Sequence, residues 1–411
     1  MSGRLGPTNR TRYSFLISIW SSRTERSSKT KRPVPSPSGR RLAMTRLLAV
    51  SAALLACTLM LAAVSVSYAD TITVDCQGTG DYETIQEGIN AAAEGDTVMV
   101  LPGGYFGPNN RNLHFDGKGV TLMSSAGRRA TTINADNADR IFNLGPSTGF
   151  DTVIEGFTIM NGTHDYGGGF FCNGASPTIR DCIITACTAT YMSNGGGGIQ
   201  CYDEASPVIT DVTISACQAS NGAGLLALLN SAPTLTRVSF MSNTSYDRAG
   251  GAYFENPGSR FAITDCVFYN NNCTDHDGGG LYLLNASPQI TGCTFVMNRG
   301  ANAGHIMLTQ DSDPTIENCI LAFTRSGPPV FGWNEDQDPT ITRCIVYGND
   351  GGDGCHGTVS DTLNCDPRFC GMLSTDFTLC SNSWALPGNN SWGVQIGAYG
   401  DGGCGECETP V

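Results

Sequence analysis

Seven segments share one pattern: SPTIRDCIITAC (176–187), SPVITDVTISAC (206–217), APTLTRVSFMSN (232–243), RFAITDCVFYNN (260–271), SPQITGCTFVMN (287–298), DPTIENCILAFT (313–324) and DPTITRCIVYGN (338–349). Their lead aliphatic residues, Ile179, Ile209, Leu235, Ile263, Ile290, Ile316 and Ile341, follow one another at intervals of 25 to 30 residues. An eighth copy, TVIEGFTIMNG (152–162), places Ile154 and Phe157 in the same slots. A repeat of this length marks a solenoid, in which each unit buries its apolar face only against its neighbours.

The spacing inside a unit decides which solenoid. An apolar residue recurs three places after the lead and then two more, as in Ile263, Cys266 and Phe268. Strand side chains alternate with period two, so an offset of three requires a bend. The second bend residue is often Asp, Asn or Gly (Asp181, Asp211, Asp265, Gly292, Asn318), types that accept left-handed backbone angles. A polar turn follows, then a Gly-led strand (GGGFFC, GGGIQC, GAGLLA, GGAYFE, GGGLYL), then a second turn such as NASP. Three short strands and three bends describe one coil of a parallel β-helix. A leucine-rich repeat has similar spacing but needs a helix or compact turn in its return leg, where these glycines and β-formers disfavour helix. The expected fold is all-β: a single-stranded right-handed parallel β-helix of about ten coils. At ~4.8 Å per coil it forms a rod on the order of 50 Å long.

Stacked coils turn each slot into a column. Cys182, Cys266, Cys293, Cys319 and Cys344, with Val212 and Val238, form one internal column of buried thiols and valines. Asn243, Asn271, Asn298 and Asn349 form another at a turn, where amides can bond from coil to coil.

Charge is uneven. Of 24 Lys and Arg, 11 precede residue 47, whereas from Asp70 onward 13 basic residues face 36 acidic ones, a net of −23. Such a surface repels phosphate backbones, which excludes nucleic acid as a partner and suits solubility or cation binding. Residues 44–69, MTRLLAVSAALLACTLMLAAVSVSYA, read as a signal peptide: Arg46 and the upstream Arg40 and Arg41 precede an apolar stretch, and Ser67 and Ala69 are small residues before a cleavage point at Asp70. The alternatives are a retained anchor and a lipoprotein box ending at Cys57, against which the apolar run past Cys57 argues. Residues 1–43 are basic, Ser- and Pro-rich and without apolar period, a non-structural leader. The division is then 1–43 leader, 44–69 signal, 70–360 β-helix with its N-terminal cap, and 361–411 Cys-rich C-terminal cap. With the signal removed no membrane span remains, and oligomeric state has no signature in the sequence.

The segment GTGDYETIQEGINAAAEGDTVMVLPGGYF (78–106) resembles the N-terminal cap of pectin lyase-like β-helix proteins, which implies a short amphipathic helix near Tyr82 to Ala93 plugging the open end. The Phe-x-x-Asn rows followed by GGAY or GGGL resemble repeats of polymorphic outer-membrane proteins. The stretch from Cys365 to Gly400 resembles the closing segment of bacterial extracellular β-helix proteins. These resemblances imply a fold and an extracellular setting more than an activity. The catalytic segments of the family's enzymes are missing. Gln-Asp-Thr and Asp-x-Ile-Phe-Gly segments of pectin methylesterases do not occur, and Gly304-His305-Ile306 is a fragment of the Gly-His-Gly of polygalacturonases. The calcium carboxylates and Arg or Lys base of pectate lyases do not assemble. No membrane barrel follows residue 350.

The candidate ligand-binding residues lie in turns before Gly tracts: His164 and Asp165 before GGG, Asp247 before GGA, and Asp275, His276 and Asp277 before GGG. Carboxylates with a nearby His can hold a divalent cation such as Ca2+ or share acid and base roles in glycoside cleavage. Asp beside Gly is equally ordinary turn chemistry, and three coils intervene between His164 and His276. The row Asn173, Asp203, Asn230, Asn285, Asp311 and Asp336 reads as turn capping. Cys355, Cys365, Cys370, Cys380, Cys404 and Cys407 crowd the C-terminal end as disulfide candidates. Cys172 with Cys201, and Cys187 with Cys217, share slots on adjacent coils. Cys404-Gly-Glu-Cys407 is a lone C-x-x-C, a weak zinc pattern. The expected function is non-catalytic binding of a polysaccharide or cell-surface partner along the rod. The alternative is a lyase or glycoside hydrolase acting on an acidic polysaccharide.

Overall fold

A computed structural model describes residues 69–191 and 194–408. The leader 1–43 and the signal 44–69 lie, but for Ala69, outside the described residues. From Thr71 the chain winds into a parallel β-helix of three long sheets. Sheet I has twelve strands, from Thr71–Val74 to Thr358–Ser360, about eleven turns and one more than the repeat count suggests, because the cap region supplies coils of its own. Sheet II has ten strands, from Gly103–Tyr105 to Ile345–Tyr347, and sheet III eight, from Phe142–Leu144 to Val330–Gly332. Five short strands, Thr163–His164 to Asn272–Cys273, form a minor sheet IV. The return legs are strands. The described residues contain one α-helix, Ile85–Ala91 (α1).

The bends carry the geometry. In the first bend of each coil Gly156, Asp181, Asp211, Arg237, Asp265, Gly292, Asn318, Arg343 and Asp361 all have positive φ, between 49° and 82°. A second column of positive φ runs through Asn161, Ala186, Ala216, Ser242, Asn270, Met297, Phe323 and Gly348. A left-handed residue turns the strand sharply without a loop, which is how an offset of three fits two strands. Arg237, Met297 and Phe323 occupy it too, so at these positions the register of the stack overrides an intrinsic cost of roughly 1 kcal/mol per residue.

Inside, identical slots align. Ile154, Ile179, Ile209, Leu235, Ile263, Ile290, Ile316 and Ile341 pair residue for residue and are fully buried. Phe240, Phe268 and Phe295 stack with centroids 4.8 and 4.6 Å apart. The cysteine column is a set of free buried thiols. The backbone N–H groups of Cys266, Cys293 and Cys319 donate to the sulfur one coil on, at 3.4, 3.3 and 3.4 Å. The asparagine column is a ladder from Asn243 through Asn271 to Asn298, with Thr324 in the next slot before Asn349. The Asn243 and Asn271 backbone N–H groups donate to the next Asn Oδ1 at 3.1 and 2.9 Å, while their Nδ2 groups donate back to Ile214 and Phe240 carbonyls at 2.9 Å each.

Helix α1 is shorter than the 82–93 expected. Asp81 and Tyr82 instead donate their N–H groups to the Thr73 carbonyl, so the chain is still extended at Thr84, and Ala92 is extended again. Ile85 and Ile89 are fully buried, and a Cβ on Gly88 would fall 2.5 Å from Val74 Cγ2. That glycine lets the helix lie directly on the first rung.

At the other end, Phe369–Gly371 and Asp376–Leu379 pair antiparallel, and disulfides join Cys370 to Cys404 and Cys380 to Cys407. Cys355 and Cys365, expected among the paired six, are free, as are Cys172, Cys201, Cys187 and Cys217. Cys172 and Cys201 are register partners whose side chains project in parallel from neighbouring strands. The C-terminal segment lies along the outer side of sheet II: Leu379, Ala385 and Ile396 cover Ile320, Ala322 and Ile345, and Phe377 covers Val267 and Val296. The Ala398 N–H donates to Thr294 Oγ1 at 2.9 Å, and the Gly397 N–H to the Asn318 carbonyl at 2.8 Å.

The ladder sets an expected cost. Asn271→Ala leaves the Asn243 N–H and the Phe240 carbonyl unpartnered in the core, a loss of about 2–4 kcal/mol in denaturant unfolding. Asn271→Thr loses less, since a threonine hydroxyl can still accept from one of the two N–H groups. Equal losses for the two variants would contradict the ladder.

Candidate functional site

The turn residues proposed from sequence separate into two groups. Asp247, Asp275 and His276 meet across one coil boundary: His276 Nδ1 is 2.8 Å from Asp247 and 3.6 Å from Asp275, all partly exposed. Asp277 points elsewhere. It is buried and accepts from the backbone and side-chain amides of Asn302, the latter at 2.9 Å, so it clamps the next turn. Calcium takes about six to eight oxygens. Here two carboxylates share one imidazole and the third is committed, so these residues fit a turn better than a Ca2+ cage. Four strands of sheet IV away, roughly 19 Å along the rod, His164 and Asp165 belong to a different surface.

That surface is a cleft on the outer side of sheet III. Side chains at alternate positions of its strands face outward in one row: Asn143, Phe171, Gln200, Leu226, Tyr253, Tyr282, Met307 and Phe331. From Leu226 to Met307 this row is buried with Ala249 and Ala303 of the adjoining turns, and the Arg248 guanidinium lies over Tyr253 and Tyr282 at 5.8 and 5.7 Å. At Phe171, beside the buried Gln200, the cover thins. The result is a cleft of about 280 Å³ lined by Tyr166, Phe171, Tyr191, Asn194, Gln200 and Tyr202. Its ring centroids are 5.0 Å (Tyr166–Tyr191), 6.1 Å (Tyr166–Phe171) and 6.4 Å (Phe171–Tyr202) apart. Gln200 is buried and held by the Gly196 N–H and the Asn194 carbonyl, both at 3.0 Å, which fixes that wall.

Charged groups lie behind the aromatic wall. The Arg140 guanidinium stacks on Phe171 with Cζ 4.7 Å from the ring centroid, and Arg140 is only 5% exposed. Its Nη2 contacts the His164 ring, Nη1 reaches Asn143 Oδ1 at 3.4 Å, and its buried Nε has no hydrogen-bond partner. Asp139 lies 3.9 Å from His164 Nε2, and Asp165 accepts from Thr190 Oγ1 at 2.7 Å. Burial and the Arg140 charge push the His164 imidazole down, so it is neutral near pH 7. Burial likewise lowers Arg140, against the Asp139 and Asp165 charges, though a guanidinium keeps its proton at any ordinary pH.

Sequence reasoning found His164 and Asp165 but missed Arg140 and the four aromatic residues. The signal was available in the Gly-led strands, where alternation puts Phe171 and Tyr282 outward in GGGFFC and GGGLYL. The turns drew attention instead.

His305, the remnant of a Gly-His-Gly motif, is structural. It is fully buried, Nδ1 accepts from Asn298 Nδ2 at 3.1 Å, and Nε2–H donates to the Ala322 carbonyl at 3.0 Å. No substrate reaches it.

Residues 109–287 and 197–366 match the right handed beta helix region, and the chain belongs to that family. No curated protein matches it. Among solved structures it is similar to pectate lyase Pel9A at 12% identity and a TM-score of 0.49, covering 82% of this chain and 98% of that one. It is also similar to pectin methylesterase from carrot at 13% identity and a TM-score of 0.38, covering 72% and 88%. Neither likeness bears on what this chain binds. Among the described residues no helix is long and apolar enough to cross a membrane.

Burial lowers the His305 pKa to about 3. Unfolded histidine titrates near 6.5, so between those values the unfolded chain binds the extra proton. The stability contributed by neutral His305 is complete above pH ~6.5 and falls as pH drops towards 3, by about 2 kcal/mol at pH 5. Urea unfolding from pH 7 to pH 5 checks this against His305→Gln, whose slope should be flatter. Identical slopes would remove His305 as the cause.

Proposed function

We propose that this is an exported β-helix protein that binds a polysaccharide or cell-surface glycan in the lateral cleft at Tyr166, Phe171, Tyr191 and Tyr202. The observation that carries the reading is four aromatic side chains gathered around one opening, two of them, Tyr191 and Tyr202, exposed to solvent. Aromatic faces pack against the C–H faces of sugar rings, and amides such as the exposed Asn194 beside the buried Gln200 orient hydroxyls. The rest of the surface offers ion pairs, Arg180 with Glu155 at 2.7 Å and Arg237 with Asp211 at 2.7 Å, which keep it soluble. Export is supported by the segment 44–69 and by the paired cysteines near the C-terminus. N-terminal sequencing of the released protein should begin at Asp70.

The test is a glycan array followed by titration of the retained glycan. Phe171→Ala and Tyr202→Ala should each weaken binding about tenfold, equivalent to ~1.4 kcal/mol. Asp275→Asn, on the distant His276 cluster, should not. Release of reducing ends or unsaturated products during the incubation would replace the binding reading with catalysis.

A further inference from the structure

We infer that the cleft selects an uncharged sugar, one or two rings of a neutral glycan, and rejects polyuronates. This rests on the cleft being the glycan site and adds the ligand's charge and size. Arg140 is the one cation at the cleft among the described residues. It is buried behind Phe171, and the Asp139 and Asp165 carboxylates both act on it. His164 is neutral for the reasons given above. One guanidinium and two carboxylates leave the cleft region with a net charge of about −1.

The field around the cleft has the same sign. From Asp70 onward the chain carries 13 basic and 36 acidic residues, a net of −23, and Lys118, its one lysine there, reaches the carbonyls of Ile89, Asn90 and Ala92 in the N-terminal cap. A glycan with a carboxylate on every sugar would approach an acidic rod and meet no cation among the described residues that line the cleft. A neutral sugar meets what is present: ring faces at Phe171 and Tyr202, the exposed amide of Asn194 beside the fixed Gln200, and phenol hydroxyls at Tyr166 and Tyr191. Size points the same way as charge. At about 280 Å³ the cleft is at or below the small end of ligand pockets, ~300–1,000 Å³. It therefore holds a chain end or a short segment, not a long polymer along the rod.

The experiment is calorimetric titration of the purified full chain with neutral tetrasaccharides (gluco-, manno-, xylo- and galacto-configured) and with tetragalacturonate, at low and moderate salt. The expected result is binding of at least one neutral tetrasaccharide, at least tenfold tighter than tetragalacturonate. That binding should weaken about tenfold in Tyr202→Ala, a partly exposed site whose loss should leave the fold intact, and change little with salt. Tighter binding of tetragalacturonate, weakened by salt and by Tyr202→Ala, overturns the charge inference while leaving the cleft as the glycan site. Binding that neither Tyr202→Ala nor Phe171→Ala alters, or no binding to any of the five, overturns both.

Discussion

Every feature of this molecule depends on one constraint: a residue and its counterpart in the next coil are held about 4.8 Å apart by the parallel backbone ladder. That distance suits like on like. Aliphatic residues fill rung after rung, phenylalanines stack face to face, and asparagine amides bond along the axis because each finds an identical partner in reach. It also explains how left-handed backbone angles persist at Arg237, Met297 and Phe323. The ladder fixes the turn, and the residue conforms.

The interior was legible in the sequence for the same reason. The interval from Ile179 to Ile209 to Leu235, the offset of three to Cys182 or Val212, and the Asn at the second turn each report a slot whose environment hardly changes from coil to coil. The exterior was less legible. Val267, Ile320 and Ile345 are outward residues in a slot whose earlier members include Thr158, Thr213 and Ser239, and Val296 stands in the outward slot that Ser215 holds earlier. Their apolar character makes sense only once the C-terminal segment lies against them. Disulfide partners were equally beyond reach, since six cysteines allow fifteen full pairings and the structure uses only four of them. Cys365 precedes the antiparallel pair that carries Cys370 and remains free.

The cleft arises where the repeat is imperfect. The outer row of sheet III is apolar and covered over most of its length, and at Phe171 the cover gives way to Tyr166 and Tyr191 from flanking turns and Tyr202 from the next strand. A regular stack supplies a rigid floor, and departures from regularity supply the site. Period-based reading favours what repeats, so it found the rod and passed over Tyr191 and Tyr202, whose slots vary from coil to coil, Tyr202 being in register with Asn173. His164 was found for its chemistry, yet its setting beside Arg140 and Asp139 depends on a contact between residues 24 apart in neighbouring coils.

The C-terminal segment has a mechanical consequence. A linear array with contacts only between neighbours peels from its ends, and a terminal coil gains support from one side alone. Here the contact of Ala398 with Thr294 spans 104 residues of chain and reaches back past the last coils to one made earlier. Fraying at that end must therefore first unfasten a strap closed by two disulfides, so unzipping is forced to begin at the helix-plugged end.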